Sequence, residues 1–272
     1  INYDRQSYEK YEVHKTIAKG GMKLVLKAKD RNIGRNVALA VLPMADVKDS
    51  EETAKRFLLE ARITANLEHP NIIPVHEIGK TSSGEPYFTM TLSGGNDLAD
   101  IIDKLASGDE ALTKQFTLAE RLGVFKKICD AISFAHSRGV IHLDLKPENI
   151  QIGEFGEVLV LDWGLAKFVT EMSDTQEKIN SENINELNNL KSASIKQLAD
   201  SLIACKTLDG FAKGTPGYMA PEQAAGKNTL RSKKTDIYAL GGILYSLLTF
   251  KKPVEGNDIQ TILAKTIRGE II

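Results

Sequence analysis

The stretch His142-Leu143-Asp144-Leu145-Lys146-Pro147-Glu148-Asn149 decides how the 272-residue chain is read. It sets a carboxylate, an ammonium and a carboxamide close together. An apolar run from Val158 to Leu161 then delivers Asp162-Trp163-Gly164, and Ala220-Pro221-Glu222 follows further on. Either Asp or Asn alone would most simply mark a turn. Both together at this spacing argue against that reading.

Together these segments resemble the catalytic core of eukaryotic-type (Hanks-type) serine/threonine protein kinases. That resemblance runs from Tyr11 to about Pro253 and implies an α+β, bilobal fold. A small lobe with an antiparallel sheet would span residues 1–91, and a mostly helical large lobe residues 92–272. ATP would lie in the cleft between them. By the same resemblance Asp144 orients the substrate hydroxyl and Lys146 neutralises charge on the transferring phosphate. Asn149 and Asp162 would bind the magnesium ions, Gly164 closes the Asp-Trp-Gly triplet, and a protein Ser/Thr side chain would be the substrate. Lys146, with Gly214-Thr215 ahead of the triplet ending in Glu222, resembles serine/threonine rather than tyrosine kinases. His142 is read as a packed core histidine. Leu143 departs from the family, which has an arginine there to clamp a phosphate on the activation segment; leucine cannot make that bidentate contact.

A second departure lies in Val37-Ala38-Leu39-Ala40-Val41, where Ala40 stands in place of the lysine of Val-Ala-Ile-Lys. The loop that would cover the phosphates reads Ala18-Lys19-Gly20-Gly21-Met22-Lys23-Leu24-Val25, with Lys23 at the third-glycine position. Side chains alternate along strands, so Lys23 and Val25 share one face, as Ala38 and Ala40 do. Val25 and Ala38 both touch adenine in the resembling family. With Val25 set beside Ala38, antiparallel stepping places Lys23 beside Ala40 and carries Lys27 the other way. This resembles the With-No-Lysine kinases, while the rest of the chain is more similar to bacterial kinases with a Gly-Gly-Met loop. Two readings follow. One is an active kinase using Lys23, with Glu60 as its partner. The other is a pseudokinase, natural or made by an alanine introduced at position 40, that binds nucleotide or acts as a scaffold.

Outward from these motifs, Tyr11–Asp30 and Asn36–Leu42 alternate as three strands. Ala54, Phe57, Leu58, Ala61 and Ala65 predict a helix over Glu51–Leu67 that carries Glu60. Two more strands, Ile72–Gly79 and Tyr87–Leu92, lead to Met90 and a hinge at Thr91-Leu92-Ser93, and helices are expected from Leu118 onward. The activation segment carries an insert, about 170–206, rich in Asn, Ser, Lys and Glu. Its Ile184, Leu187, Ile195, Leu198 and Leu202 allow either an amphipathic helix or a segment without fixed structure. The insert is expected to control access of substrate. The large lobe reads as truncated, the family's arginine partner for Glu222 is not found, and flanking domains are expected.

Composition adds bounds. At 42% hydrophobic and 26% charged the chain can bury one large core or two. A net charge of -1 gives no reason to expect nucleic acid or an anionic membrane as partner. Cys129 and Cys205 make no disulfide framework and suit a reducing, cytoplasmic setting. Tyr238–Phe250 is too short to span a bilayer and reads as a core helix.

Overall fold

Five strands, β1 (Tyr11–Lys19), β2 (Leu24–Asp30), β3 (Asn36–Val41), β4 (Val75–Lys80) and β5 (Pro86–Thr91), form an antiparallel sheet in the order β1-β2-β3-β5-β4. Period-two alternation divides their side chains between two faces. Leu24, Leu26, Ala28, Val37, Leu39, Val41 and Tyr87 gather on one face with Tyr8 and Tyr11. Ala40 and Phe88 point to the other face, which is covered by helix α1 (Ser50–Asn66) through Phe57 and Ala61. The Phe57 and Phe88 ring centroids lie 4.9 Å apart. Burying side chains of this size stabilises by roughly 1.5–3 kcal/mol each. Glu51 and Glu52 in the first turn of α1 face the positive end of the helix dipole.

The computed structural model describes residues 8, 10–19, 23–42, 50–168 and 213–271. The expected insert at about 170–206, together with Cys205, lies outside the described residues, as do Gly20 and Gly21. The chain divides into two units: Ile1–Gly95 with Gln151–Gly164, and Asn96–Ile150 with Leu165–Ile272. The first unit therefore takes in a segment that a boundary at residue 91 leaves out. The reason is local, since Asn71 and Ile73 bind β9 (Val158–Val160) as a strand would. Val160 N donates to Asn71 O (2.8 Å), Ile73 N to Val160 O (3.2 Å), and Asn71 Nδ2 to Val158 O (2.9 Å).

The second unit becomes helical earlier than the expected Leu118. After the short strand β6 (Asn96–Asp97), helix α2 (Leu98–Ala106) is capped by Asp97 and buries Leu98, Ile101, Ile102 and Leu105, the spacing of one helical face. Helices α3 (Glu110–Gln115) and α4 (Leu118–Ser137) follow, capped by Asp109 and Thr117. Next come β7 (Val140–Ile141), a 3-10 turn over Pro147–Asn149, β8 (Ile150–Ile152) and β10 (Lys167–Phe168), which pairs antiparallel with β7. Then come α5 (Pro221–Ala224), α6 (Lys233–Thr249) and α7 (Ile259–Arg268). The expected core segment Tyr238–Phe250 falls in α6, which packs against α4 and receives a hydrogen bond from Arg121 Nη1 at Leu247 O (2.6 Å). Among the described residues no helix is long and apolar enough to cross a membrane.

Candidate active site

In the first unit the register of β2 on β3 is Val25 opposite Ala40, Leu26 opposite Leu39 and Lys27 opposite Ala38. The faces agree with the sequence reading, but the pairing is displaced by two residues: Val25, not Lys23, sits beside Ala40. Lys23 lies one step before β2 and beyond position 40. A two-residue slide keeps every side chain on its own face, so alternation alone does not distinguish the two registers. Ala40 is fully buried, packed with Phe57, Ala61 and Phe88. Val25 and Ala38 are buried, Ala38 pairs with Met90, and Met90 and Leu92 are half-buried. Ala18 is exposed in β1, opposite Val25.

From its place before β2, Lys23 Nζ donates to Glu60 Oε1 and, at 2.8 Å, to Asp162 Oδ1. The lysine and Glu60 side chains are 19% and 11% exposed, and that of Asp162 is 41% exposed. Burial opposes the charge on Lys23, but the two carboxylates outweigh it and hold the ammonium well above the ordinary lysine value. Burial lifts the Glu60 carboxyl above its ordinary value; Lys23 opposes the shift and the Asp162 charge adds to it. Asp162 adopts the left-handed region (φ 59), a conformation that Asp tolerates better than most residues. Gly164 has a steric reason. A Cβ there would lie 3.0 Å from Glu60 Oε2 and 3.3 Å from Asp162 Oδ1, crowding both carboxylates.

The second unit brings together Asp144, Lys146, Asn149 and Thr215. Thr215 Oγ1 donates to Asp144 Oδ1 (2.9 Å) and accepts from Lys146 Nζ (2.6 Å), while Lys146 Nζ lies 3.2 Å from Asp144 Oδ2. Asn149 Nδ2 donates to Asp144 O (2.8 Å) and Oδ2 (3.3 Å). His142 is fully buried, and its Nδ1 accepts from Asp144 N at 3.2 Å, as suits a core histidine.

The loop is held by residues that the sequence reading passed over. Leu143 is buried in the left-handed region (φ 67), strained for a side chain of that shape. Buried Asp236 offsets this by accepting from His142 N and Leu143 N (both 2.8 Å), and His136 Nε2 lies 2.7 Å from its Oδ2. Gln223 is also buried and donates to Leu143 O. A lone carboxylate in the otherwise apolar Ile237–Leu248 neighbourhood was a signal available for Asp236. Glu222 accepts from Thr235 Oγ1 (2.6 Å). Half-buried Cys129 has its thiol pushed above the ordinary cysteine value by burial, with the Asp130 charge adding to the shift.

A family model described as protein kinase domain matches residues 11–272. The chain belongs to the protein kinase domain family. This kinase domain is 39% identical over 266 residues to the serine/threonine-protein kinase PknD of Protochlamydia amoebophila (strain UWE25), covering 96% of this chain and 25% of that protein. It is 38% identical over 258 residues to PknD of Chlamydia caviae, covering 93% of this chain and 26% of that protein. It is 40% identical over 250 residues to PknD of Chlamydia muridarum, covering 90% and 25%. The kinase domain thus spans about a quarter of the length of these curated relatives. Its α+β architecture, sheet in one unit and helices in the other, is the one the family implies.

Proposed function

We propose that this chain transfers the γ-phosphoryl group of ATP to serine or threonine hydroxyls of protein substrates, with Lys23 serving in place of the third-strand lysine. The observation that carries this reading is the Lys23 ammonium joined at once to Glu60 and Asp162, although it comes from β2's leading edge rather than from position 40. The similarity to serine/threonine kinases supports the substrate class.

In this mechanism Val25, Ala38, Met90 and Leu92 form the apolar seat for adenine, with Ala18 near the end of β1 beside it; Gly20 and Gly21, which the family resemblance assigns to nucleotide binding, lie outside the described residues. Lys23 binds the phosphates, and Glu60 holds it in place. Each unit offers one oxygen donor of a kind that suits magnesium. Asp162 offers a carboxylate, and Asn149 spends its nitrogen on Asp144, which leaves its amide oxygen as the ligand atom for a hard cation. When bound, magnesium would offset the charge of the phosphate oxygens. Asp144 accepts the proton of the substrate hydroxyl as its oxygen bonds to the γ-phosphorus and the bond to the ADP oxygen breaks. Lys146 offsets charge on the transferring group, and Thr215 holds both side chains in register. Leu143 leaves no guanidinium to receive a phosphate on the activation segment.

The competing reading, a pseudokinase that binds nucleotide or partners without transfer, draws on Ala40 and Leu143. The deciding test is transfer from ATP and magnesium to a generic Ser/Thr protein by the full-length protein, with Lys23→Met and Ala40→Lys alongside. Transfer by the wild type that is lost in Lys23→Met supports the relocated lysine. No transfer by the wild type, with activity appearing in Ala40→Lys, establishes the pseudokinase reading instead.

A further inference from the structure

Gln223 follows Ala220-Pro221-Glu222 directly, and nothing in the proposed mechanism uses it, yet it is 2% exposed and its amide is engaged at both ends. Its Nε2 donates to Leu143 O (2.8 Å) and Lys213 O (3.2 Å), and its Oε1 accepts from Ala220 N (3.1 Å). Those two carbonyls belong to the two stretches that must meet for the reaction. Leu143 directly precedes Asp144, and Lys213 stands two residues before Thr215, whose hydroxyl donates to Asp144 Oδ1.

The backbone at Gly214 leaves little room for a side chain of its own beside this amide. Gly214 has φ +128, and a Cβ there would fall 3.2 Å from Gln223 Nε2 and 3.3 Å from Leu143 O. Leu143 also lacks the guanidinium that could tie the segment to the loop through a phosphate. A neutral carboxamide with two N–H groups can hold two carbonyls at once, whereas a carboxylate or an alkyl chain can hold neither.

We infer that Gln223 is a positioning residue that ties Lys213–Thr215 to Leu143–Asp144, so that Thr215 and Asp144 meet without a phosphate on the activation segment. This rests on the kinase reading, because it concerns alignment of that same site. Gln223 acts on the protein-substrate side of the reaction, since none of its partners belongs to the adenine seat.

The test uses the full-length protein with Gln223→Met, which keeps length and packing but deletes the polar contacts, and Gln223→Glu, which keeps shape but turns a carboxylate towards two carbonyls. Hydrogen–deuterium exchange is read on peptides covering 142–146 and 213–217, next to kcat and KM for ATP and for protein substrate. Expected are exchange faster by about tenfold in both peptides, kcat lower by roughly 10- to 100-fold with KM for ATP unchanged, and the larger effect in Gln223→Glu. Wild type treated with a phosphatase keeps its exchange protection and its kcat. Unchanged exchange in both variants, a loss that raises KM for ATP in proportion, or a phosphatase-sensitive wild type each overturns the inference. If the wild type transfers no phosphate, the kinase reading fails, while exchange in the two peptides still decides whether Gln223 ties them.

Discussion

The Lys23–Glu60–Asp162 cluster of the first unit and the Asp144–Lys146–Thr215 cluster of the second are both built from a lysine among oxygen acceptors, yet they are held in opposite ways. In the first, position depends on reach. Lys23 stands outside β2 and carries its ammonium to two carboxylates on a flexible four-carbon stem. In the second, position depends on the main chain: Leu143 is bent into the left-handed region, Asp236 takes two backbone N–H groups, and Gln223 takes the Leu143 carbonyl. On the proposed mechanism, the contrast accounts for the departures from the family at each cluster. A charge at the end of a long side chain can be supplied from another position, so Ala40 leaves the first cluster intact. A carboxylate aimed by backbone geometry cannot be moved that way, but the neighbouring side chain can change, as Leu143 shows.

The contrast breaks if Asp144 turns out to be as replaceable as position 40. Asp144→Asn keeps the size of the side chain and an acceptor for Thr215 but removes the proposed base, and the expected loss in kcat is about 10²–10⁴-fold. Because the loop is anchored through Asp236 and Gln223, thermal stability should stay close to that of the wild type. A parallel collapse of stability, seen by calorimetry, would mean that the side chain and not the main chain holds this loop.

The next effect is on stability and belongs to the first cluster. Lys23→Met removes the ammonium that Glu60 and Asp162 share. Breaking a fully buried pair by removing one member costs roughly 3–5 kcal/mol, and the 41% exposure of Asp162 places this case below that range. Lys23→Met combined with Glu60→Gln should recover most of the loss, which a double-mutant cycle in denaturant would measure. The pH dependence has a definite sign. Glu60 already has a raised carboxyl in the folded state, and losing Lys23 removes the influence that lowers it. A group that binds its proton more tightly when folded stabilises the fold as pH falls. The penalty of Lys23→Met should therefore shrink as pH is lowered from neutrality towards the ordinary carboxylate range, and a penalty that grows on acidification would rule out this account.

Much of this could be read from sequence, and the misses have physical causes. Alternation in Tyr11–Asp30 and Asn36–Leu42 identified the strands and set Val25 and Ala40 on one face. It was silent on register because sliding by two residues preserves every face. The three-residue strand Val158–Val160 was found, but its attachment to Asn71 and Ile73 depends on main-chain hydrogen bonds that no side-chain pattern encodes. Leu98, Ile101, Ile102 and Leu105 carried a helix signal before Leu118 that the reading did not use. Gln223 was not legible, since a glutamine that grips two carbonyls looks the same in sequence as one that faces water.

The smallest expected effect tests how finely the first cluster is tuned. Gly164→Ala adds one methyl 3.0 Å from Glu60 Oε2 and 3.3 Å from Asp162 Oδ1, distances at which the neighbours must yield by a few tenths of an ångström. The Gly164 backbone is not in the left-handed region, so alanine meets no conformational barrier there. What gives way is then the flexible Glu60 carboxylate, and with it the hydrogen bond from Lys23. A lost hydrogen bond of this charged kind is worth about 1.5–3 kcal/mol at most, and the long lysine stem can follow part of the shift. A rise in KM for ATP of roughly three- to tenfold, with kcat nearly unchanged, is expected. If Gly164→Ala instead lowers kcat as deeply as Asp144→Asn does, the first cluster is as rigidly placed as the second, and the reach of Lys23 is not what lets its position in the chain vary.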